Sequence, residues 1–176
     1  SEERSRYLNA RNTISSLQSK NIIPIINEND TVATEEIRYG DNDKLAARVA
    51  QMIEADLLVL LSDINGFYDD DPKKNKNAKK IKEIYKNDKK IEDLAKSQTS
   101  ELGSGGMTTK ILAAKICAGN GCATIITNSN KINPISSINK NNSTIFHPLV
   151  STNSSKKKWL LNHLKPSGSI IIDNGA

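Results

Sequence analysis

The sequence predicts an α/β fold, a three-layer α/β/α sandwich with a mainly parallel β-sheet between helical layers. Short, almost wholly apolar runs indicate strands covered on both faces, and they alternate with segments whose apolar residues recur at helical spacing. Hydrophobic residues make up 36% and charged residues 26% of the 176 residues, so the composition supports a packed core. The length suits one domain or a large piece of one.

The first part of the chain predicts two helices and two strands. A helix over residues 9–19 is followed by an apolar strand at 22–26, in which Pro24 favours an edge position or a strand start. Residues 44–55 place apolar side chains at helical spacing, which predicts a second helix. The run LLVLL at 57–61 is the clearest central strand in the sequence.

The second part of the chain continues the alternation of helices and strands. The predicted elements are helices at 88–95 and 107–118, a strand at 123–127, a short helical segment at 134–138 and a strand at 143–146. Residues 170–172 are three consecutive isoleucines, and the stretch 169–173 predicts a strand or a linker. The regular succession of strand, helix and strand favours a parallel sheet.

The formal charge of +5 is concentrated in one lysine-rich segment. Residues 73–90 contain nine lysines, no arginine and a single aromatic residue, Tyr85. A nucleic-acid site favours arginine and interleaved aromatic residues, so we interpret this segment as a solvated surface insertion and expect no nucleic-acid partner.

No apolar run reaches the roughly 18 to 20 residues that span a bilayer, and the first residues lack the pattern of a signal peptide. The sequence therefore predicts a cytoplasmic protein without a membrane partner. Cys117 and Cys122 form neither a disulfide framework nor a zinc-ligand pattern, and we expect both in or near the core. No metal-ligating residues are predicted.

Polar residues follow two of the predicted strands, at the position where α/β proteins bind ligands. Residues 27–30, with the sequence NEND, come directly after the strand at 22–26. This composition is also common in ordinary loops, and the position favours a ligand loop. Ser62 and Asp63 follow the strand at 57–61; they either form a simple turn or line a nucleotide pocket.

Residues 40–43, with the sequence GDND, precede the helix at 44–55. In a purely structural interpretation Asp41 is an N-cap and its neighbours occupy the first turn, where negative charge is favourable. In a functional interpretation Asn42 binds the amine or carboxylate of a substrate, and Asp43 orients a cation.

Residues 103–110, with the sequence GSGGMTTK, lead into the helix at 107–118. The glycines allow close approach of the backbone to a ligand, and the exposed amides of a helix start attract phosphate. Thr108 and Thr109 add hydroxyl donors, and Lys110 lies one turn into the helix. This loop predicts a phosphate-binding site, with a flexible surface loop as the alternative; it is neither a Walker A motif nor a dinucleotide-binding fingerprint.

Together, these loops resemble those of the glutamate 5-kinase family, in the amino acid kinase superfamily. The matching stretches are RYLNARNT at 6–13, PIINEND at 24–30, YGDND at 39–43, LVLLSD at 58–63, GFY at 66–68, LGSGGMTTK at 102–110 and TIFH at 144–147. The resemblance implies an amino acid kinase fold and transfer of the γ-phosphoryl group of ATP, with Mg²⁺, to the side-chain carboxylate of L-glutamate. That reaction is the first step toward proline.

The resemblance also implies roles for individual residues. Asp30 and Asn42 contact glutamate, Lys110 stabilises charge on the transferred group, and Asp43 organises the catalytic lysines. The ATP site comprises Ser62, Asp63, Ser104, Gly105, Gly106, Met107, Thr108, Thr109 and Lys110. Homo-oligomers and feedback inhibition by proline are further expectations that come from the family.

The resemblance places residues 1–150 in a partial kinase domain and residues 151–176 in a carboxyl-terminal extension or linker toward a PUA domain. The strand and glycine-rich loop that open the family's kinase domain have no counterpart in this sequence. Two alternatives stay open, a non-catalytic nucleotide-binding fragment and another carboxylate kinase of the superfamily.

Overall fold

A computed structural model describes residues 2–27, 42–85, 89–97, 106–139 and 141–149. The helices of these ranges are α1 (Glu2–Ser19), α2 (Asn42–Met52), α3 (Lys89–Ser97) and α4 (Met107–Ala118). The strands are β1 (Leu57–Ser62), β2 (Phe67–Tyr68), β3 (Lys80–Ile81), β4 (Glu83–Ile84), β5 (Ala123–Asn128) and β6 (Ser143–Phe146).

The main sheet of the described ranges has four strands in the order β1-β5-β6-β4. β1 pairs with β5 in parallel over six residues, from Leu57 opposite Ala123 to Ser62 opposite Asn128. β4 and β6 are also parallel, whereas β5 and β6 are antiparallel. β2 and β3 form a separate antiparallel pair. This mixed, mostly parallel sheet confirms the predicted α/β class and brings the carboxyl ends of β1 and β5 to one edge.

The core lies between one face of the sheet and the helices α2, α3 and α4. The strand register places Leu60, Ile126 and Thr144 side by side, and Leu60 and Ile126 are 4% and 0% exposed. Leu57 and Leu61 point to the opposite face of β1 and stay 48% and 46% exposed. The helical layer of α2, α3 and α4 therefore covers one face, and it carries the residues discussed below.

A tight connection joins α4 to β5. Gly121 has a φ of 80°, a conformation that glycine adopts without steric cost, and the N–H of Cys122 donates to the carbonyl of Cys117 at 3.0 Å. The N–H of Ala123 then donates to the carbonyl of Asp56, which starts the β1–β5 pairing. Both cysteines are buried and free, as the sequence predicts.

The predicted strand at residues 22–26 is wrong for the described chain. Residues 22–27 form no strand, and Ile23 and Ile25 are 87% and 98% exposed. Apolar composition alone does not make a strand, because extended backbone needs a hydrogen-bonded neighbour, and no strand in the described ranges pairs with it. Residues 134–138 form hydrogen-bonded turns instead of a helix.

Helix boundaries also shift. α1 begins at Glu2 instead of residue 9, and α2 ends at Met52, before the predicted residue 55. Glu54 has a φ of 56°, which breaks the helical repeat after α2. The predicted strand or linker at 169–173 and the rest of 151–176 lie outside the described residues.

Candidate active site

The candidate site begins where the amino-terminal turns of α2 and α4 meet. The two helices pack closely because small side chains face each other. Ala47 and Ala50 of α2 and Ala113 and Ala114 of α4 are all 5% exposed or less. This packing brings Asp43, in the first turn of α2, to Lys110 in the first turn of α4, although 66 residues of chain separate them.

Asp43 and Lys110 form an ion pair that is largely enclosed. Lys110 Nζ lies 2.9 Å from Asp43 Oδ2, and the two side chains are 13% and 16% exposed. Because little water reaches this pair, its attraction is screened less than that of a surface pair. Removal of one partner leaves a poorly solvated charge, which is costly. The structure thus brings together the two residues that the resemblance marks as catalytic.

Thr109 joins the same carboxylate. Its Oγ1 lies 3.0 Å from Asp43 Oδ2 and 2.8 Å from the carbonyl oxygen of Gly106. Three groups therefore meet at the start of α4, namely a carboxylate, an ammonium group and a hydroxyl. Their arrangement fixes the position of the lysine that the resemblance assigns to charge stabilisation.

The start of α4 also offers backbone donors. Gly106 is the N-cap, with an extended backbone and no side-chain cap, and α4 begins at Met107. The N–H groups of a first helical turn attract anions. The side chain of Met107 is 7% exposed and belongs to the core. Thr108 is half-buried on the same turn.

Ser62 and Asp63 lie together at the carboxyl end of β1. Ser62 Oγ donates to Asp63 Oδ1 at 3.2 Å, and Ser62 is 9% exposed. The side chain of Asp63 is 75% exposed, and Lys73 Nζ approaches its Oδ2 at 3.6 Å. The first lysine of the lysine-rich segment therefore reaches the turn that the sequence assigns to the nucleotide.

Residues at the end of β5 hydrogen-bond to this turn, and the sequence did not predict these contacts. The backbone N–H and Oγ of Ser129 both donate to the carbonyl of Ser62, at 2.7 and 3.0 Å. Asn128 Nδ2 donates to the carbonyl of Asp63 at 3.3 Å. One feature of the sequence could have indicated these contacts. Polar residues follow the predicted strand at 123–127, and a strand parallel to β1 ends at the same edge of the sheet.

Asn42 is the first residue of α2 and is exposed beside Asp43. Asp30, Ser104 and Gly105, which the sequence also assigns to the site, lie outside the described residues. Within the described ranges, no group of three or more acidic, histidine or cysteine side chains is arranged to hold a metal ion.

Lys80 of the lysine-rich segment is half-buried. Partial burial, together with the nearby positive charges of Lys82 and Lys131, lowers the pKa of Lys80 below its usual value. Lys80 also donates to the carbonyl of Asn141, so it ties the segment to the turn before β6. This lysine therefore has a structural contact, whereas Lys73 is 81% exposed.

The comparisons with known proteins assign the chain to a family. The sequence matches the amino acid kinase family over residues 1–128, and the chain belongs to that family. It is 52% identical over 176 residues to the glutamate 5-kinase of Pelagibacter ubique, covering 99% of this chain and 48% of that protein. It is 48% identical over 177 residues to the glutamate 5-kinase of Paramagnetospirillum magneticum, covering 100% and 48%.

The chain spans about half the length of these curated relatives. Among solved structures, the UMP kinase of Ureaplasma parvum superposes with a TM-score of 0.54 at 24% identity, over 78% of this chain and 52% of that one. This likeness shows the fold alone. None of the helices in the described ranges has the length and apolar character needed to cross a membrane.

Proposed function

We propose that this chain is part of an enzyme that transfers the γ-phosphoryl group of MgATP to the side-chain carboxylate of L-glutamate. The product is glutamyl 5-phosphate, and the reaction is the first step toward proline. The observation that carries the proposal is the identity of about 50% with glutamate 5-kinases over almost the whole chain. The enclosed pair of Lys110 and Asp43 supports it, because phosphoryl transfer depends on a fixed positive charge.

In this mechanism Lys110 neutralises charge that develops on the transferred group. Asp43 holds the lysine in place, and the first turn of α4 directs backbone N–H groups toward the phosphates. The acceptor carboxylate is ionised at neutral pH, since the pKa of a free glutamate side chain is about 4.3. It therefore needs no general base, and we expect no covalent enzyme intermediate.

The remaining roles follow the family resemblance. Asn42 and Asp30 bind L-glutamate, and Ser62 and Asp63 bind the nucleotide at the end of β1. The loop before α4 contributes Ser104, Gly105 and Gly106 to the nucleotide site, and the first turn of α4 contributes Met107 and Thr108. The resemblance also places Thr109 at this site, where its hydroxyl contacts Asp43. Mg²⁺ enters with ATP as part of the substrate and neutralises phosphate charge. L-Glutamate and MgATP are thus the proposed small-molecule partners.

A second candidate is a nucleotide-binding fragment without activity of its own. It is favoured by the length of the chain, which is about half that of the relatives. In this case the 176 residues bind MgADP, and glutamate has no effect on them. The cytoplasmic location, the homo-oligomeric state and inhibition by proline stay predictions for the whole protein.

Glutamate-dependent release of ADP tests the proposal. The 176-residue chain and a version extended upstream to an initiator methionine are each supplied with MgATP, with and without L-glutamate. We expect glutamate-dependent release from the extended version, and L-aspartate and N-acetylglutamate serve as control acceptors. If both proteins fold and bind nucleotide but neither responds to glutamate, the substrate assignment is wrong.

A further inference from the structure

Thr109 has one hydroxyl hydrogen and two acceptors within reach. Its Oγ1 is 3.0 Å from Asp43 Oδ2 and 2.8 Å from the carbonyl oxygen of Gly106. A hydroxyl donates one hydrogen bond at a time, so these two contacts alternate or share the hydrogen. Lys110 Nζ donates to the same Asp43 oxygen at 2.9 Å. Asp43 Oδ2 is therefore contacted by two donors, of which one is the lysine proposed to meet the substrate.

We propose that Thr109 is a positioning residue that acts through Asp43 instead of binding the nucleotide directly. While Lys110 is paired with Asp43, the Thr109 hydroxyl donates to the carbonyl of Gly106. When Lys110 turns toward the transferred phosphoryl group, the hydroxyl turns to Asp43 Oδ2 and replaces the lost donor. This inference rests on the proposed function, because it assigns Lys110 to the phosphoryl group.

The surroundings of Asp43 explain why a replacement donor matters. Its side chain is 16% exposed, so water cannot fully solvate the carboxylate once the lysine leaves. A second donor already within 3.0 Å lowers the cost of moving the lysine without any rearrangement of the backbone. The hydroxyl thus favours the arrangement in which Lys110 contacts substrate. Its removal therefore slows the chemical step.

The backbone N–H of Thr109 also has a hydrogen-bond acceptor within the chain. Its N–H donates to the carbonyl of Gly106 at 3.1 Å. Both donors of Thr109 therefore have acceptors within the protein. The contacts of Thr109 favour a role in holding Asp43.

The test is a set of variants in the full-length protein that carries this chain. Thr109→Val keeps the shape of the side chain and removes the hydroxyl, and Thr109→Ser restores it. Thr13→Val is the matched control, because Thr13 Oγ1 donates to the carbonyl of Asn9 within α1, a local contact of the same kind. Turnover with L-glutamate gives kcat and the KM for MgATP, and titration calorimetry gives the Kd for MgADP.

We expect Thr109→Val to lower kcat about 10- to 100-fold, because moving Lys110 from Asp43 to the transferred group then costs more. The Kd for MgADP and the KM for MgATP stay within about threefold, since no nucleotide contact is removed. Thr109→Ser recovers most of the rate, and Thr13→Val matches the wild type. A Kd for MgADP that rises as much as kcat falls identifies Thr109 as a nucleotide ligand and overturns the inference, as does a kcat within twofold of wild type.

A double-mutant cycle separates this inference from the proposed function. Thermal unfolding is measured without substrates for Thr109→Val, Lys110→Ala and the double variant, because Lys110→Ala removes the lysine and leaves the Thr109 hydroxyl to donate to Asp43. A larger loss of stability from Thr109→Val in the Lys110→Ala background than in the wild type supports the contact, and strictly additive changes contradict it. If the wild-type protein does not respond to glutamate, the proposed function fails while the cycle still decides whether Thr109 acts on Asp43.

Discussion

Two lysine–aspartate pairs in this chain share their chemistry and differ in their surroundings. Lys110 and Asp43 are 2.9 Å apart, with side chains 13% and 16% exposed. Lys73 and Asp63 are 3.6 Å apart, with side chains 81% and 75% exposed. Water and salt screen the second pair, so it contributes little, whereas the first pair fixes a charge in an enclosed site. The comparison shows that solvent access, and not the identity of the residues, determines what each pair does.

Of the substitutions in these two pairs, Lys110→Ala is expected to have the largest effect on turnover. We expect kcat for glutamate-dependent ADP release to fall about 100- to 1,000-fold, as is typical when a group that stabilises transition-state charge is removed. Lys73→Ala serves as the matched control in the same assay of the full-length protein. A rate for Lys110→Ala within twofold of wild type would refute the role given to Lys110.

Asp43→Asn tests the enclosed carboxylate itself. The substitution keeps the size of the side chain but leaves the ammonium group of Lys110 without its counter-charge. We expect the free energy of unfolding to fall by about 1–3 kcal/mol, below the range for fully buried pairs, and kcat to fall about 10- to 100-fold. Denaturant titration and turnover measure the two effects. Asp63→Asn is the control for stability, and an equal loss of stability there would contradict the distinction between the pairs.

Lys73→Ala is expected to have the smallest effect. An ion pair this exposed contributes almost nothing to stability, so the melting temperature should change by less than about 1 °C. We also expect any change in the KM for MgATP to disappear in high salt, because the pair is open to screening ions. A loss of several degrees would show that Lys73 does more than pair with Asp63.

Local pattern in the sequence was enough to predict the elements on which the site is built. β1, β5 and α4 lie where apolar runs and helical spacing place them. The family resemblance implied that Asp43 organises the catalytic lysines, and the structure places Asp43 beside Lys110. Both residues lie in the first turn of a helix. The assignment of substrate roles to these residues stays a prediction.

Contacts between distant segments could not be predicted from the sequence. The prediction of a strand at 22–26 failed because a strand is defined by its hydrogen-bonded partner, which the composition of a segment does not reveal. Ser129 and Asn128 were missed because their contacts to the β1 turn depend on the six-residue register of two strands. The contact between Thr109 and Asp43 was missed because it joins residues 66 positions apart, and the assignment of Thr109 to the nucleotide site stays a prediction.

The short connection from α4 to β5 has a consequence for engineering the chain. β5 is paired with β1 residue by residue, and Leu60 and Ile126 face the helices only in that register. An added or deleted residue next to Gly121 would shift the strand by one position and turn its core face toward the opposite side. Insertions therefore belong at the exposed residues 76–77 of the lysine-rich segment, which lie outside the main sheet.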